Sequence, residues 1–469
     1  MIVTRRGFLS ASAAFAAAPF LRANAAPRVR EADIVVIGAG AAGIAAARRI
    51  LAANRKVIVV EAASQIGGRC ITDSTSFDVP FDQGARWLYN PDTNPMIPLA
   101  RSVGFDTAPV PFGPKMRIGR RNARAGEIEQ FLAALARSNR AIDEAARGRL
   151  DTACATVLPK DLGDWASAIE FTLGAGFAGK DLKNLSAMDK SRAQDRSTAI
   201  AFRQGLGALV AKLGEQLPVA LSTPAKRIEW SRRDVSVDTP AGKIMARAAI
   251  ITVSTNVLTA GAIRFDPDIP KRILDAASKL SLGSYDHIMV QLAGNPLGLS
   301  QDDTLIEQSS SMHTALLLAN IGGSSLCSID VGGSFGRDLS AEGEQAMAAF
   351  AKEWIGKLFG SEVAAAVKKT SATRWNASPF VMGAMSAATP GGQLSRKALI
   401  DPIGCMYLAG EATHETLWGT VEGAWESGER AAEAALRRIG ALPEVPADGP
   451  AQSSSRRRRM ARPPSSPID

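Results

Sequence analysis

Metal-binding side chains are scarce in this chain. It carries three histidines and four cysteines in 469 residues. Cys70, Cys154, Cys327 and Cys405 form no CxxC pair and show no metal-ligand spacing, which excludes a zinc or iron cluster as the reactive centre. The thiols read as free and mostly buried. Long apolar runs are missing as well. The one candidate, near the N-terminus, is too short and too rich in alanine for a stable membrane span. There is no internal repeat. The formal net charge of +9 is concentrated at the ends: residues 1–25 hold three Arg and no acid, and residues 451–469 hold five Arg and one Asp, which leaves the body near +2. No nucleic-acid surface is implied. Hydrophobic content of 46% and charged content of 22% are those of a globular protein large enough for two domains.

Against those absences stand two glycine-rich stretches nearly the full chain apart. The first is Asp33-Ile-Val-Val-Ile-Gly38-Ala-Gly40-Ala-Ala42-Gly43. Residues 33–37 are apolar and β-branched, as a buried parallel strand should be. Residues 44–51, rich in Ala, Arg and Leu, predict a helix. Gly38 permits the tight turn, Gly40 lets backbone approach a pyrophosphate, and Gly43 lets helix and strand pack closely. The pyrophosphate would sit near Ala42 on the positive end of the helix. A second strand, residues 56–60, ends at Glu61, about 20 residues past the glycines, where a carboxylate accepts the ribose hydroxyls. An acid there argues against a 2′-phosphate.

The second stretch is Tyr407-Leu-Ala-Gly410-Glu411-Ala-Thr413, running on to Gly419-Thr420-Val421-Glu422-Gly423-Ala-Trp425-Glu-Ser427-Gly428. With Gly67-Gly68-Arg69 and Gly84-Ala85-Arg86-Trp87, it resembles the flavin-containing amine oxidases: monoamine oxidases, polyamine oxidases and their bacterial relatives. Looser matches lie between, at Arg203-Gln-Gly205-Leu-Gly207, at Thr223-Pro-Ala225 with the hairpin that follows, and at residues 249–253. The resemblance covers roughly residues 31–440. It implies FAD, with Gly68 and Arg69 along the cofactor near the pyrophosphate. It sets Gly84, Ala85 and Arg86 beside the flavin ring, and Ala225, Gly410 and Glu411 in further contact. Thr420 and Val421 would lie at the ring, at the start of a helix whose dipole favours an anionic reduced flavin.

The departures fall where substrate should meet flavin. The family's lysine, which holds a water at flavin N5, is replaced by His287 in Leu280-Ser-Leu-Gly283-Ser-Tyr285-Asp286-His287. His287 is expected to hold the same water, although a histidine need not be charged at neutral pH. Trp375 to Met385 matches a strand that supplies one aromatic of a cage over the flavin. Met385 stands in that place, and Thr420 in the second cage position. Ala384 matches the residue that carries covalent flavin in monoamine oxidases, so non-covalent FAD is expected. Trp87 and Trp418 are candidates to line the pocket instead, with core packing as the plain alternative. Amino-acid oxidases and tryptophan monooxygenases fix a carboxylate with an Arg after Gly-Ala-Met. Here Arg86 comes one residue early.

The predicted fold is an α/β, Rossmann-like FAD-binding domain from residues 31–90, 200–275 and 390–440. It is interleaved with an α+β substrate domain of helices and a mixed sheet from residues 91–199 and 276–389. Thr4-Arg5-Arg6-Gly7-Phe8-Leu9, an Ala-rich run and Ala23-Asn24-Ala25 read as a twin-arginine signal over residues 1–25. That predicts export in folded form by the twin-arginine machinery to the periplasm or beyond. Residues 445–469 read as a disordered basic tail. The expected activity is oxidation of an amine C–N bond by hydride transfer to flavin N5, with O2 or another electron acceptor. An L-amino-acid oxidase, a tryptophan 2-monooxygenase, a carotenoid- or porphyrinogen-type desaturase and a non-catalytic flavoprotein stay open at this level.

Overall fold

The computed structural model describes residues 29–111 and 113–443. The signal at 1–25 and the tail at 445–469 lie outside the described residues. Ile34–Ile37 and Val57–Val60 are apolar runs dominated by β-branched residues, and every residue in them is buried. Burial on both faces marks a parallel sheet covered on both sides. The two strands pair in parallel. Ala248–Ile251 and then Met406–Leu408 extend the sheet on one side, and Val219–Ala220 on the other, all in parallel. Strand order changes direction at Ile34–Ile37, and the crevice beyond the carboxyl ends of strands at such a switch is where ligands bind.

One face of this sheet is covered by the helices Ala41–Ala52 and Val421–Arg438. Ala46, Ile50, Ala432 and Leu436 pack there against Val36, Val57 and Val59. The helices meet closely because Gly428 has no side chain: a Cβ there would lie 2.0 Å from the Ala42 carbonyl oxygen. The other face is covered by the antiparallel strands Arg227–Trp230, Val235–Thr239 and Gly242–Ala246, and by the helix Lys271–Lys279.

A seven-stranded mixed sheet forms the second layer system. Its longest strand, Tyr285–Leu292, lies next to one edge, antiparallel to the edge strand Val367–Ala372 on one side and to Leu326–Gly332 on the other. The helix Glu344–Phe359 buries Trp354, Ile355 and Leu358 against its Ile288, Val290 and Ile329. The 22-residue helix Ala125–Ala146 turns Phe131 and Ile142 toward Trp165 and Leu173, while Leu135 on the same stripe is half-buried.

Residues 375–385 differ from the strand the sequence implies. They form a 3-10 turn, Trp375–Ala377, followed by irregular backbone. Pro379 has no ladder donor, and Met382 and Gly383 take φ of 63° and 146°, so the segment cannot run as a strand.

Candidate functional site

A single cavity opens at the carboxyl ends of the central parallel strands. Gly38, Gly40, Ala42, Glu61, Gly68, Arg69, Gly84, Ala85, Arg86, Trp87, Ala225, His287, Met385, Gly410, Glu411, Thr420 and Val421 all line it. Gly43 and Trp418 are not among its lining residues.

The glycine turn shows why its residues are what they are. Gly38 has φ of 102°, and a Cβ on it would lie 2.4 Å from Thr252 Oγ1. A Cβ on Gly43 would lie 1.9 Å from the Gly38 carbonyl oxygen, so Gly43 serves the packing of helix on strand. No side chain caps the helix at Gly40. The N–H groups of its first turn therefore point, without partners, toward the cavity that Gly40, Ala41 and Ala42 line. That is an anion cradle. Glu61 accepts from the Ala39 N–H at 2.6 Å through Oε2 and from the Ala63 N–H at 2.8 Å through Oε1. Each oxygen keeps a lone pair for a hydroxyl.

A polar network joins this cradle to the C-terminal motif. Arg69 donates to Glu411 Oε1 at 3.0 Å and to the Ala384 carbonyl oxygen. Glu411 also accepts from the Ser386 N–H at 3.0 Å, the Ser386 hydroxyl at 2.6 Å and the Gly419 N–H at 2.7 Å. Burial alone would raise its pKa, but Arg69 and these donors more than offset that, and the carboxyl lies below its ordinary value. Behind it, buried Arg396 grips buried Asp189 with two bonds of 2.7 Å and donates to the Ser386 hydroxyl and the Ala412 carbonyl. This ties the helix Ala187–Arg192 to the C-terminal motif.

His287 lies in the strand Tyr285–Leu292 and is 3% exposed. Its Nε2 is 3.0 Å from the Gly84 carbonyl oxygen, which only accepts, so Nε2 carries a hydrogen. Its Nδ1 lies 2.7 Å from Asp330 Oδ1 and against the Arg86 guanidinium. Both ring nitrogens are thus engaged by protein groups. The water that the sequence reading assigns to His287 finds no free ring nitrogen there. Arg86 Nη2 also reaches Asp330 Oδ1 at 3.1 Å and the Ser328 hydroxyl at 3.2 Å, while its Nη1 is buried without a partner. Asp330 is pushed up by burial but pulled further down by Arg86 and His287. Tyr285 donates to Asp330 Oδ2 at 3.1 Å.

The cage positions hold no aromatic ring. Thr420 caps the helix Val421–Arg438: its hydroxyl accepts from the Gly423 N–H at 3.1 Å and donates to the Leu417 carbonyl at 2.8 Å. Trp418 is fully buried in the helical core. Its ring meets Phe177 edge-on and its Nε1 donates to the Asp189 carbonyl at 3.3 Å. Packing, not pocket lining, is its role. Trp87 does line the cavity, with Arg86 5.7 Å above its ring. Tyr89, Phe177, Arg196, Tyr285 and Trp375 complete this wall. None of these five carries a role in the sequence reading, because separate segments bring them together.

Glu422, behind that wall, is 2% exposed, and neither carboxyl oxygen has a hydrogen-bond partner. Burial pushes its pKa up to about 7, against weaker downward pulls from its own backbone N–H, Arg196, the Tyr89 N–H and Thr420, none of which closes a hydrogen bond of normal geometry. The four cysteines are free and buried. Among the described residues there is no cluster that could hold a metal, and no helix is long and apolar enough to cross a membrane.

The cradle fits FAD: an uncapped helix end for the pyrophosphate, Glu61 for the ribose, and Val421 at the N-terminus of a second helix beside an aromatic chamber. Comparison with known proteins agrees. Lysine-specific histone demethylase 2 of Homo sapiens is 25% identical over 449 residues, covering 85% of this chain and 53% of that protein, so the chain spans about half its length. Probable polyamine oxidase 4 of Arabidopsis thaliana is 26% identical over 443 residues, covering 87% of each. The solved structure of cyclohexylamine oxidase from Brevibacterium oxydans shares the fold, with a TM-score of 0.73 at 22% identity over 87% of this chain and 99% of that one. The profile described as "Flavin containing amine oxidoreductase" matches residues 41–436, and the chain belongs to that family.

Proposed function

We propose that the protein oxidises the C–N bond of a small amine to an imine, which hydrolyses to a carbonyl compound, with O2 as acceptor and H2O2 as product. The observation that carries this reading is the continuity of one cavity from the dinucleotide cradle at Glu61 to the chamber walled by Tyr89, Phe177 and Tyr285. Bound FAD supplies the acceptor for a hydride equivalent from the amine carbon. The chain supplies position and electrostatics. The aromatic wall excludes water and orients the amine. Arg86, held by Asp330, His287 and Ser328, presents its unpartnered Nη1 in a buried setting. His287 acts here by fixing Arg86 and the Gly84 carbonyl rather than by holding a water.

FAD is held without a covalent bond in this reading. Cys70 is the only thiol lining the cavity, and burial pushes its pKa up to about 12, so no thiolate is on hand to attack a ring. The polyamine oxidase relatives support the amine class. The test is a panel of amines offered to the purified holoprotein in air, with peroxide and substrate loss measured together. Peroxide in step with amine loss fits; amine loss without peroxide assigns another electron acceptor. We also propose export by the twin-arginine route, on the Thr4–Leu9 pattern. An Arg5→Lys, Arg6→Lys pair should trap the protein with its leader attached inside the cell, and unchanged export would remove the proposal.

A further inference from the structure

The cavity's substrate end carries positive charge that the protein leaves unneutralised. Of the arginines lining the cavity, Arg69 and Arg86 each bind a carboxylate, from Glu411 and Asp330. Arg196 also lines the cavity, yet its hydrogen bonds among the described residues go to two carbonyl oxygens, those of Phe177 at 3.3 Å and Trp418. Two of its five N–H groups are used in this way, so three remain. The guanidinium is stiffened by aromatic faces, 4.3 Å from the Phe177 centroid, 5.1 Å from Trp418 and 5.8 Å from Tyr89.

Its position is specific. A Cβ built on Gly419 would lie 3.5 Å from Met385 Cβ and 3.6 Å from Arg196 Nη2. Met385 and Thr420, which follows Gly419, are the two places where the sequence lacks cage aromatics. A guanidinium therefore stands where π-faces would otherwise meet an amine. Arg86, whose charge Asp330 neutralises, offers a second unpartnered donor in this cavity, its Nη1. Two acids act on Arg196: Glu422, whose pKa burial pushes up to about 7, and Glu411, which is paired with Arg69.

We propose that Arg196 makes this end of the cavity a carboxylate site, so that the amine oxidised carries a carboxylate in the same small molecule. The inference rests on the amine-oxidation reading and names its substrate class. A guanidinium repels an ammonium group and pairs with a carboxylate through parallel N–H donors. A dicationic polyamine is disfavoured by the same charge.

The test uses the holoprotein and two matched pairs. Sodium benzoate and benzamide are titrated against the flavin absorbance. Phenylalanine and phenethylamine, which differ by the carboxylate, are then compared as reductants without oxygen. Benzoate should perturb the flavin at a concentration at least about 10-fold lower than benzamide. Arg196→Gln should weaken benzoate by about 10- to 100-fold with FAD still bound, as loss of a hydrogen bond to a charged group does, and Arg196→Lys should restore part of it. Phenylalanine should exceed phenethylamine in its reduction rate over binding constant. Equal binding of benzoate and benzamide, or faster bleaching by phenethylamine, overturns the inference and leaves amine oxidation standing. Arg196-dependent benzoate binding with no bleaching by either reductant removes the amine reading and leaves the carboxylate site. The wild-type titrations decide the matter even if Arg196→Gln does not fold.

Discussion

Replacing Glu422 by glutamine should stabilise the protein in a pH-dependent way. The side chain is 2% exposed, and its two oxygens have no hydrogen-bond partners. Burial raises its pKa from 4.5 to about 7. The folded protein therefore keeps this proton up to about pH 7, whereas the unfolded chain releases it near 4.5. Between these values the folded state binds more protons, so the Glu422 contribution to stability falls as pH rises. It is flat below 4.5 and flat again above about 7. A shift of roughly 2.5 units at 1.36 kcal/mol each amounts to about 3 kcal/mol. Glu422→Gln has no such proton to lose. The assay is urea unfolding followed by tryptophan fluorescence, for both proteins, from pH 4.5 to 8.5. Other groups titrate alike in the two, so the difference curve isolates this one. It should rise by about 3 kcal/mol across the window and then level off. A flat difference would refute the account of Glu422 as a buried, unpaired acid.

The remaining predictions address the cradle and the reactive end. Glu61→Ala removes the ribose acceptor and the partner of the Ala39 and Ala63 N–H groups, so FAD affinity should fall by about 10- to 100-fold, read from the fluorescence of released flavin, and the urea midpoint of the apoprotein should drop as well. Gly43→Ala would press a methyl to 1.9 Å from the Gly38 carbonyl, so it should cost several kcal/mol and give protein without bound flavin; a yellow, stable variant would contradict the packing role. His287→Ala should leave FAD bound but slow reduction by amine by about 10-fold or more, because Arg86 and the Gly84 carbonyl lose their shared anchor. Unchanged rapid-mixing kinetics would remove His287 from the mechanism.

Much of the fold was legible because its signals are local. The run at 33–37, the glycines after it and Glu61 occupy one short stretch, and each residue type answers a steric or polar demand made within it. The helix that starts at Val421 was legible from the C-terminal motif; the strand Met406–Leu408 before it, which forms one edge of the same sheet, was not. The segment at 375–385 was misread as a strand from its resemblance, although Pro379 and Gly383 are punctuation against one. His287 lines the cavity from a strand, but as a residue held by protein groups rather than as the holder of a water. Its partners, Asp330 from the neighbouring strand and Gly84 from another segment, depend on tertiary register, and no spacing in the sequence reveals them. Trp418 illustrates the default for a lone tryptophan, which is core. Arg196, Tyr89 and Phe177 escaped notice because they lie in unremarkable sequence, and only the assembled wall gives them a shared address.

The account's central claim is that one cavity holds FAD and brings an amine to it. The direct measurement is the absorbance of the purified holoprotein mixed with amines and amino acids in the absence of oxygen. The account predicts that the oxidised flavin band bleaches with at least one such compound, saturably, and returns when an acceptor is admitted. A tightly bound flavin that no amine or amino acid reduces would contradict the claim and mark the chain as a flavoprotein without this chemistry.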